Sequence, residues 1–181
     1  MEEAAFDRYQ EDEHVPELLS AGLSALVVEL GDPSYKYDPM PSHRPPLHAR
    51  LRRTLDERTD DEEHWAFRAI QSGHPGAVMS RIHAASTMAG LDVGVPKRRL
   101  FLLRNAAWPS GPKTSDTVKT FQARGGQTLP LEEGDLRVFA ALRIMQQERD
   151  GRLEAWLTDR RPASGTSVFR AALELTPTSA R

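Results

Sequence analysis

Arg98-Arg99-Leu100-Phe101-Leu102-Leu103-Arg104-Asn105 is the stretch that decides the fold class. Four consecutive apolar residues between basic ones read as a strand buried on both faces, near 99–104. A Pro/Gly-rich loop follows and closes at Gly111-Pro112-Lys113-Thr114-Ser115-Asp116. Ser115 or Asp116 can cap a helix through Val118, Phe121 and Gln122, which Gly125-Gly126 ends. Gln127 to Leu131 then forms a second short strand. A strand, a helix and a strand within roughly thirty residues have the length of a right-handed crossover between parallel strands. The chain therefore reads as α/β, with the carboxyl ends of its strands as the natural place for a ligand.

On the amino-terminal side, Pro75 to Leu91 carries Val78, Ile82, Ala85 and Met88/Ala89 on one helical stripe. Before it, Leu47, Leu51 and Leu55 at spacings of four predict a helix starting at Pro46. The polar run Thr59 to Glu63 predicts the start of a further helix carrying Trp65, Phe67 and Ile70 and stopped by Gly73-His74-Pro75. Leu23 to Leu30, ended by Gly31-Asp32-Pro33, reads as another buried strand. Residues 31–46, with five prolines and two tyrosines, read as a long loop. The acidic residues 1–20 read as one or two short helices broken at Pro16. Beyond the second parallel strand, helices are expected at 133–148, 152–161 and 164–175. The expectation is thus a single α/β domain over 1–181. It has a small, partly parallel sheet of strands near 23–30, 99–104 and 127–131, a majority of helices, and a three-helix carboxyl-terminal segment over 133–175.

With 181 residues, 39% of them apolar, the chain can bury one ordinary core. Its net charge of -2 hides an asymmetry: residues 1–40 hold ten Asp/Glu against two Lys/Arg, whereas from Val93 to Pro130 seven basic residues face only Asp116. That basic segment suits phosphate or an acidic partner. Cysteine is absent, which excludes disulfides, thiolate nucleophiles and cysteine-based zinc sites. The acidic start, Met-Glu-Glu-Ala-Ala-Phe-Asp-Arg, is no export signal, and no run nears the ~18 apolar residues of a membrane span. A cytoplasmic protein without a membrane partner is expected.

Few residues spell out chemistry. Gly111-Pro112-Lys113-Thr114 echoes the end of a phosphate-binding loop, but Pro112 separates Gly from Lys and no glycine stands five residues upstream. The six histidines lack ligand spacing, and the acids before His64 suit a helix start, so no metal and no cofactor are expected. No Gly-x-Ser-x-Gly elbow exists. A paired-carboxylate nuclease would need acids on neighbouring strand ends; Glu29 and Asp32 end one strand, while the next offers only Arg99, Arg104 and Asn105. The last three helices have the lengths of a DNA-reading unit, yet the final one exposes only Ser167, Arg170 and Glu174. An anion contact remains: Arg104 and Asn105 at the strand end, with Lys113, Thr114 and Ser115 at the following helix start.

From Lys97 to Phe169 the order of features resembles the C-terminal part of large bacterial ATP-binding proteins of the AAA or FtsK/HerA-like kind, which serve DNA processing and phage defence. The likeness is carried by Arg99-Leu-Phe-Leu-Leu-Arg104, the loop at 109–114, Phe121 with Gly125-Gly126, Glu133-Gly-Asp135-Leu136 before Ala140-Ala141-Leu142, and Trp156-Leu157 before Arg160-Arg161-Pro162-Ala163-Ser164. It covers under half the chain and includes no Walker loop, so it implies an accessory piece whose ATPase lies elsewhere.

The resulting expectation is a non-catalytic interaction module of a bacterial DNA-processing or antiviral-defence assembly, bound to nucleic acid, an ATPase or another protein subunit. Its contact residues would be Lys97, Arg98, Arg99, Arg104, Asn105, Lys113, Thr114, Lys119 and Arg124. The alternative is a small enzyme that binds a phosphate or nucleotide ligand at the carboxyl end of strand 99–104.

Overall fold

The computed structural model describes residues 11–39 and 45–175. Their order is α1 (Val15–Leu30), β1 (Tyr35–Pro39), β2 (Ala49–Asp56), β3 (Asp61–Ala69), α2 (Pro75–Met88), β4 (Arg98–Leu103), α3 (Pro112–Ala123), β5 (Gln127–Leu129), α4 (Glu133–Glu148), α5 (Leu153–Arg160) and α6 (Ser167–Leu173). The α/β class is correct, and so is the crossover: β4, α3 and β5 lie where the sequence put them, with β4 and β5 parallel. α2 and the three carboxyl-terminal helices also form, the last over Ser167–Leu173 rather than the whole of 164–175.

Three elements differ from expectation. The apolar run 23–30 is the second half of α1, not a strand. Pro16 sits in the first turn of α1, where its missing N–H costs no bond, so the helix runs through what had looked like a break. Gly31 closes it in the left-handed conformation at φ +63. The two helices expected over 46–58 and 60–70 are instead the strands β2 and β3, joined by a hairpin in which Asp60 has φ +50. A leucine spacing of four equals two strand periods, so Leu47, Leu51 and Leu55 fit either element; Trp65, Phe67 and Ala69 alternate as a strand does. The segment read as a loop over 31–46 contains β1. The amino-terminal part of the acidic helices expected over 1–20, residues 1–10, lies outside the described residues, as do 40–44 of that loop.

The five strands lie in the order β1-β2-β3-β4-β5, antiparallel from β1 to β3 and parallel from β3 to β5. Odd-numbered positions of β2 to β4 (Leu51, Trp65, Phe67, Phe101 and Leu103) enter one core with Leu19, Leu23 and Leu26 of α1 and with Phe139, Leu157 and Phe169 of the last three helices. Phe67 stacks on Phe101 at 5.4 Å and meets Phe169 edge-on at 5.8 Å. Gly22 lets α4 approach α1: a Cβ there would lie 2.6 Å from the Phe139 ring. Even-numbered positions Ala66, Leu100 and Leu102 enter a second core with Val78, Ile82 and Ala85 of α2 and Val118 and Phe121 of α3. Helices thus cover both faces of the parallel half. Glu29, buried at the end of α1, accepts N–H bonds from Ala163 and Ser164 at 2.8 and 2.7 Å. That acid, considered above as one of a nuclease pair, instead ties α1 to the α5–α6 turn.

Candidate functional site

α2 and α3 are the crossovers between the parallel strands and pack over residues of β3 and β4. β1, β2 and β3 pair antiparallel, β2 and β3 through a short hairpin, and among the described residues no helix packs on the even-numbered positions of this ribbon, which need not be apolar. They are Lys36 and Asp38 on β1, Arg50, Arg52 and Thr54 on β2, and Glu62 and His64 on β3. All are half-buried except Lys36, which is exposed.

Register turns these residues into a pattern. Lys36 pairs with Arg52, Arg52 with His64, and His64 with Arg98, so the four stand in one row across β1 to β4. Strands lie ~4.8 Å apart, so the row spans roughly 14 Å. Asp38 and Glu62 flank it diagonally, and Arg52 lies between them, 3.1 Å from Oδ1 of Asp38 and 3.1 Å from Oε1 of Glu62. Arg50 donates to Asp38 at 3.0 Å, and Glu62 also meets His64 Nε2 at 2.8 Å. Arg98 donates to the Glu62 carbonyl oxygen at 2.6 Å. The His64 hydrogen bond holds the Glu62 carboxyl below its ordinary range. Desolvation lowers His64 itself against the pull of Glu62, so the imidazole is neutral at pH 7. Four cations therefore face two carboxylates, and both acids close on Arg52. The paired side chains keep 23–30% of their surface in solvent, so the guanidiniums stay within reach of a ligand, and ion pairs open to water on one side contribute modestly to stability.

At the carboxyl end of β3 the same face becomes buried. Arg68, 3% exposed, meets Asp12 at 2.8 Å and Glu11 at 3.3 Å and donates to the Pro45 carbonyl. His48, fully buried, accepts the Ala69 N–H at Nδ1 (3.2 Å), which puts its proton on Nε2, directed at Asp12 Oδ1 2.9 Å away. In that tautomer the 2.7 Å approach of Arg68 Nη1 to Nε2 is a contact between two donors that share Asp12, not a hydrogen bond between them. Burial drops the His48 pKa to about 4, and the His48 hydrogen bond holds Asp12 at about 2.

The nine residues expected from the sequence do not form one site. Lys97, Arg98 and Arg99 stand at the start of β4, and Arg104 and Asn105 at its other end. Lys97 pairs with Asp61 (2.5 Å) and Arg99 with Glu63 (2.6 Å), the latter guanidinium lying over the Trp65 ring. Arg124 pairs with Asp92 at 2.7 Å, and Lys113 and Lys119 are exposed along α3. Thr114 is buried. Arg104, 5% exposed, donates to the carbonyl oxygens of Ile70, Ser72 and Ala107 at 2.7, 3.0 and 2.6 Å and stacks on Trp108. Its guanidinium therefore braces the loops after β3 and β4. Asn105 exchanges two hydrogen bonds with the backbone of Leu131, at 2.9 and 2.8 Å, and fixes the exit of β5. Of the nine, only Arg98 belongs to the cross-strand row.

Sequence reasoning missed Lys36, Asp38, Arg50, Arg52, Glu62 and His64, along with the buried group around Arg68. The available signal was the alternation Ala49-Arg50-Leu51-Arg52, which is strand-like once the leucine spacing is set aside. Compared with family models, curated proteins and solved structures, the chain matches none.

Proposed function

We propose that the chain is a non-catalytic binding module whose open sheet face holds the phosphate backbone of a nucleic acid. Following the resemblance of residues 97–169, it would do so within a bacterial DNA-processing or phage-defence assembly, beside a separate ATPase subunit. The observation that carries this reading is the row Lys36–Arg52–His64–Arg98, with Arg50 beside it, on a face that the crossover helices do not cover. Guanidiniums on a rigid sheet suit phosphate oxygens. The engagement of Asp38 and Glu62 with Arg52 supports binding rather than hydrolysis, because neither acid is left to activate water. This moves the expected contact from the segment 97–124 as a whole to β1, β2 and the start of β4.

The test is a fluorescence-anisotropy titration of the full chain with labelled duplex and single-stranded DNA at several salt concentrations. Binding at ~50 mM salt that weakens with log-log slope near -0.9 per phosphate contacted is expected for the duplex. No binding of either DNA at that salt would remove the nucleic-acid reading and leave an acidic protein surface as the partner to examine.

A further inference from the structure

Glu11 and Asp12 enter the carboxyl edge of β3 from outside the sheet and fill a ring of donors. Glu11, fully buried, accepts the Gln71 N–H at 2.7 Å and faces Arg68 Nη2 at 3.3 Å. Arg81 of α2 approaches it only to 3.6 Å. Among the described residues, Arg81 Nη1 and Arg68 Nε are buried without a hydrogen-bond partner. The ring thus offers more donors than the glutamate satisfies, and buried donors left over are costly. Desolvation raises the Glu11 carboxyl despite the Gln71 N–H and the two arginines. A backbone N–H combined with two guanidiniums is a donor set suited to a tetrahedral oxyanion, and it stands at the strand edge where parallel α/β sheets hold ligands.

We propose that Arg68, Arg81 and the Gln71 N–H form a phosphate seat that the chain's own Glu11 and Asp12 occupy in place of a ligand. The segment 11–14 is then a strap: a phosphate group enters as the two acids leave, and binding is weak until they do. His48 completes the seat by directing its Nε2–H at the position of the Asp12 carboxylate. This seat is separate from the open sheet face, and Arg50 and Arg52 play no part in it.

The test uses the full chain with Glu11→Ala/Asp12→Ala, checked for folding by far-UV circular dichroism. Melting is followed in inorganic phosphate, in a nucleoside 5′-monophosphate, and in chloride of equal ionic strength. The expected result is a saturable rise of about 3–6 °C at ten times the Kd, absent from the wild type and lost on adding Arg81→Ala. A rise with inorganic phosphate alone identifies the free ion as the ligand, and a stronger rise with the monophosphate identifies a phosphate ester. Should the alanine pair not fold, Glu11→Gln/Asp12→Asn keeps the shape of the strap and removes its charge, and the same phosphate-specific rise is expected. The proposal is overturned by a folded variant without that rise, by an equal rise in the wild type, by a rise indifferent to Arg81→Ala, or by failure of both pairs to fold.

Discussion

Two halves of one sheet face differ more than the two faces do. On β3 and β4 the even-numbered positions Ala66, Leu100 and Leu102 are sealed beneath α2 and α3; over β1 to β3 this face carries Lys36, Asp38, Arg50, Arg52, Thr54, Glu62 and His64. The pleat is continuous, and Arg50, Ala66 and Leu100 stand in one cross-strand row. What changes is the connection. A parallel pair requires a crossover, and its helix buries the strands it spans, whereas a hairpin leaves the face beside it uncovered. Apolar residues are selected on one half and half-buried ion pairs on the other, and Arg68 stands where the two meet.

Exchanging residue types between the halves breaks the contrast most severely. Leu100→Arg places an unpaired charge under α2 and α3, with an expected loss of about 4 kcal/mol or more in urea unfolding, whereas Arg52→Leu is expected to stay within about 1 kcal/mol. Similar losses from both would show that the ribbon face is as tightly packed as the helical one. At the boundary, Arg68→Met leaves Glu11 and Asp12 without their buried partner and is expected to cost about 3–5 kcal/mol by the same measurement.

Acid sharpens the comparison. The His48 pKa falls from 6.5 when unfolded to about 4 when folded. As pH drops below 6.5 the unfolded chain takes up a proton that the folded chain refuses, so stability is lost down to about pH 4. The full effect is on the order of 3 kcal/mol. Glu11, whose pKa is raised, acts in the opposite direction as it protonates in the fold. The difference between wild type and His48→Gln over pH 7 to 4 isolates the histidine, and parallel curves would contradict its neutral buried state. The smallest stability effect is expected for Arg50→Gln with Arg52→Gln: a change of no more than about 1 kcal/mol, with a large effect confined to binding.

The legible elements were those with one admissible period. β4 is a short apolar run between basic residues, α3 has its end at Gly125, and α2 repeats its apolar residues at three and four. β2 was misread because a spacing of four suits helix and strand alike. The end of α1 was misread because the run 23–30, interrupted only by Ser24 and Glu29, is too short by itself to separate helix from strand, and Pro16 concealed the length over which Leu19, Leu23, Leu26 and Leu30 repeat. The site was harder still. Arg104 and Asn105 were correctly placed at a strand end, but the partners that occupy Arg104, the carbonyls of Ile70 and Ser72, come from more than thirty residues away. The cross-strand row needs three registers at once, and registers depend on hairpins that the leucine spacing had obscured.

The most direct measurement compares duplex-DNA affinity at ~50 mM salt for the wild type, for Arg50→Gln/Arg52→Gln and for Lys113→Gln/Lys119→Gln. Contact through the open sheet face requires the arginine pair to lose at least ~10-fold in affinity and about two units of salt slope, with the α3 lysine pair close to wild type. Retained binding in the arginine pair together with loss in the lysine pair would place the contact on α3 and contradict it.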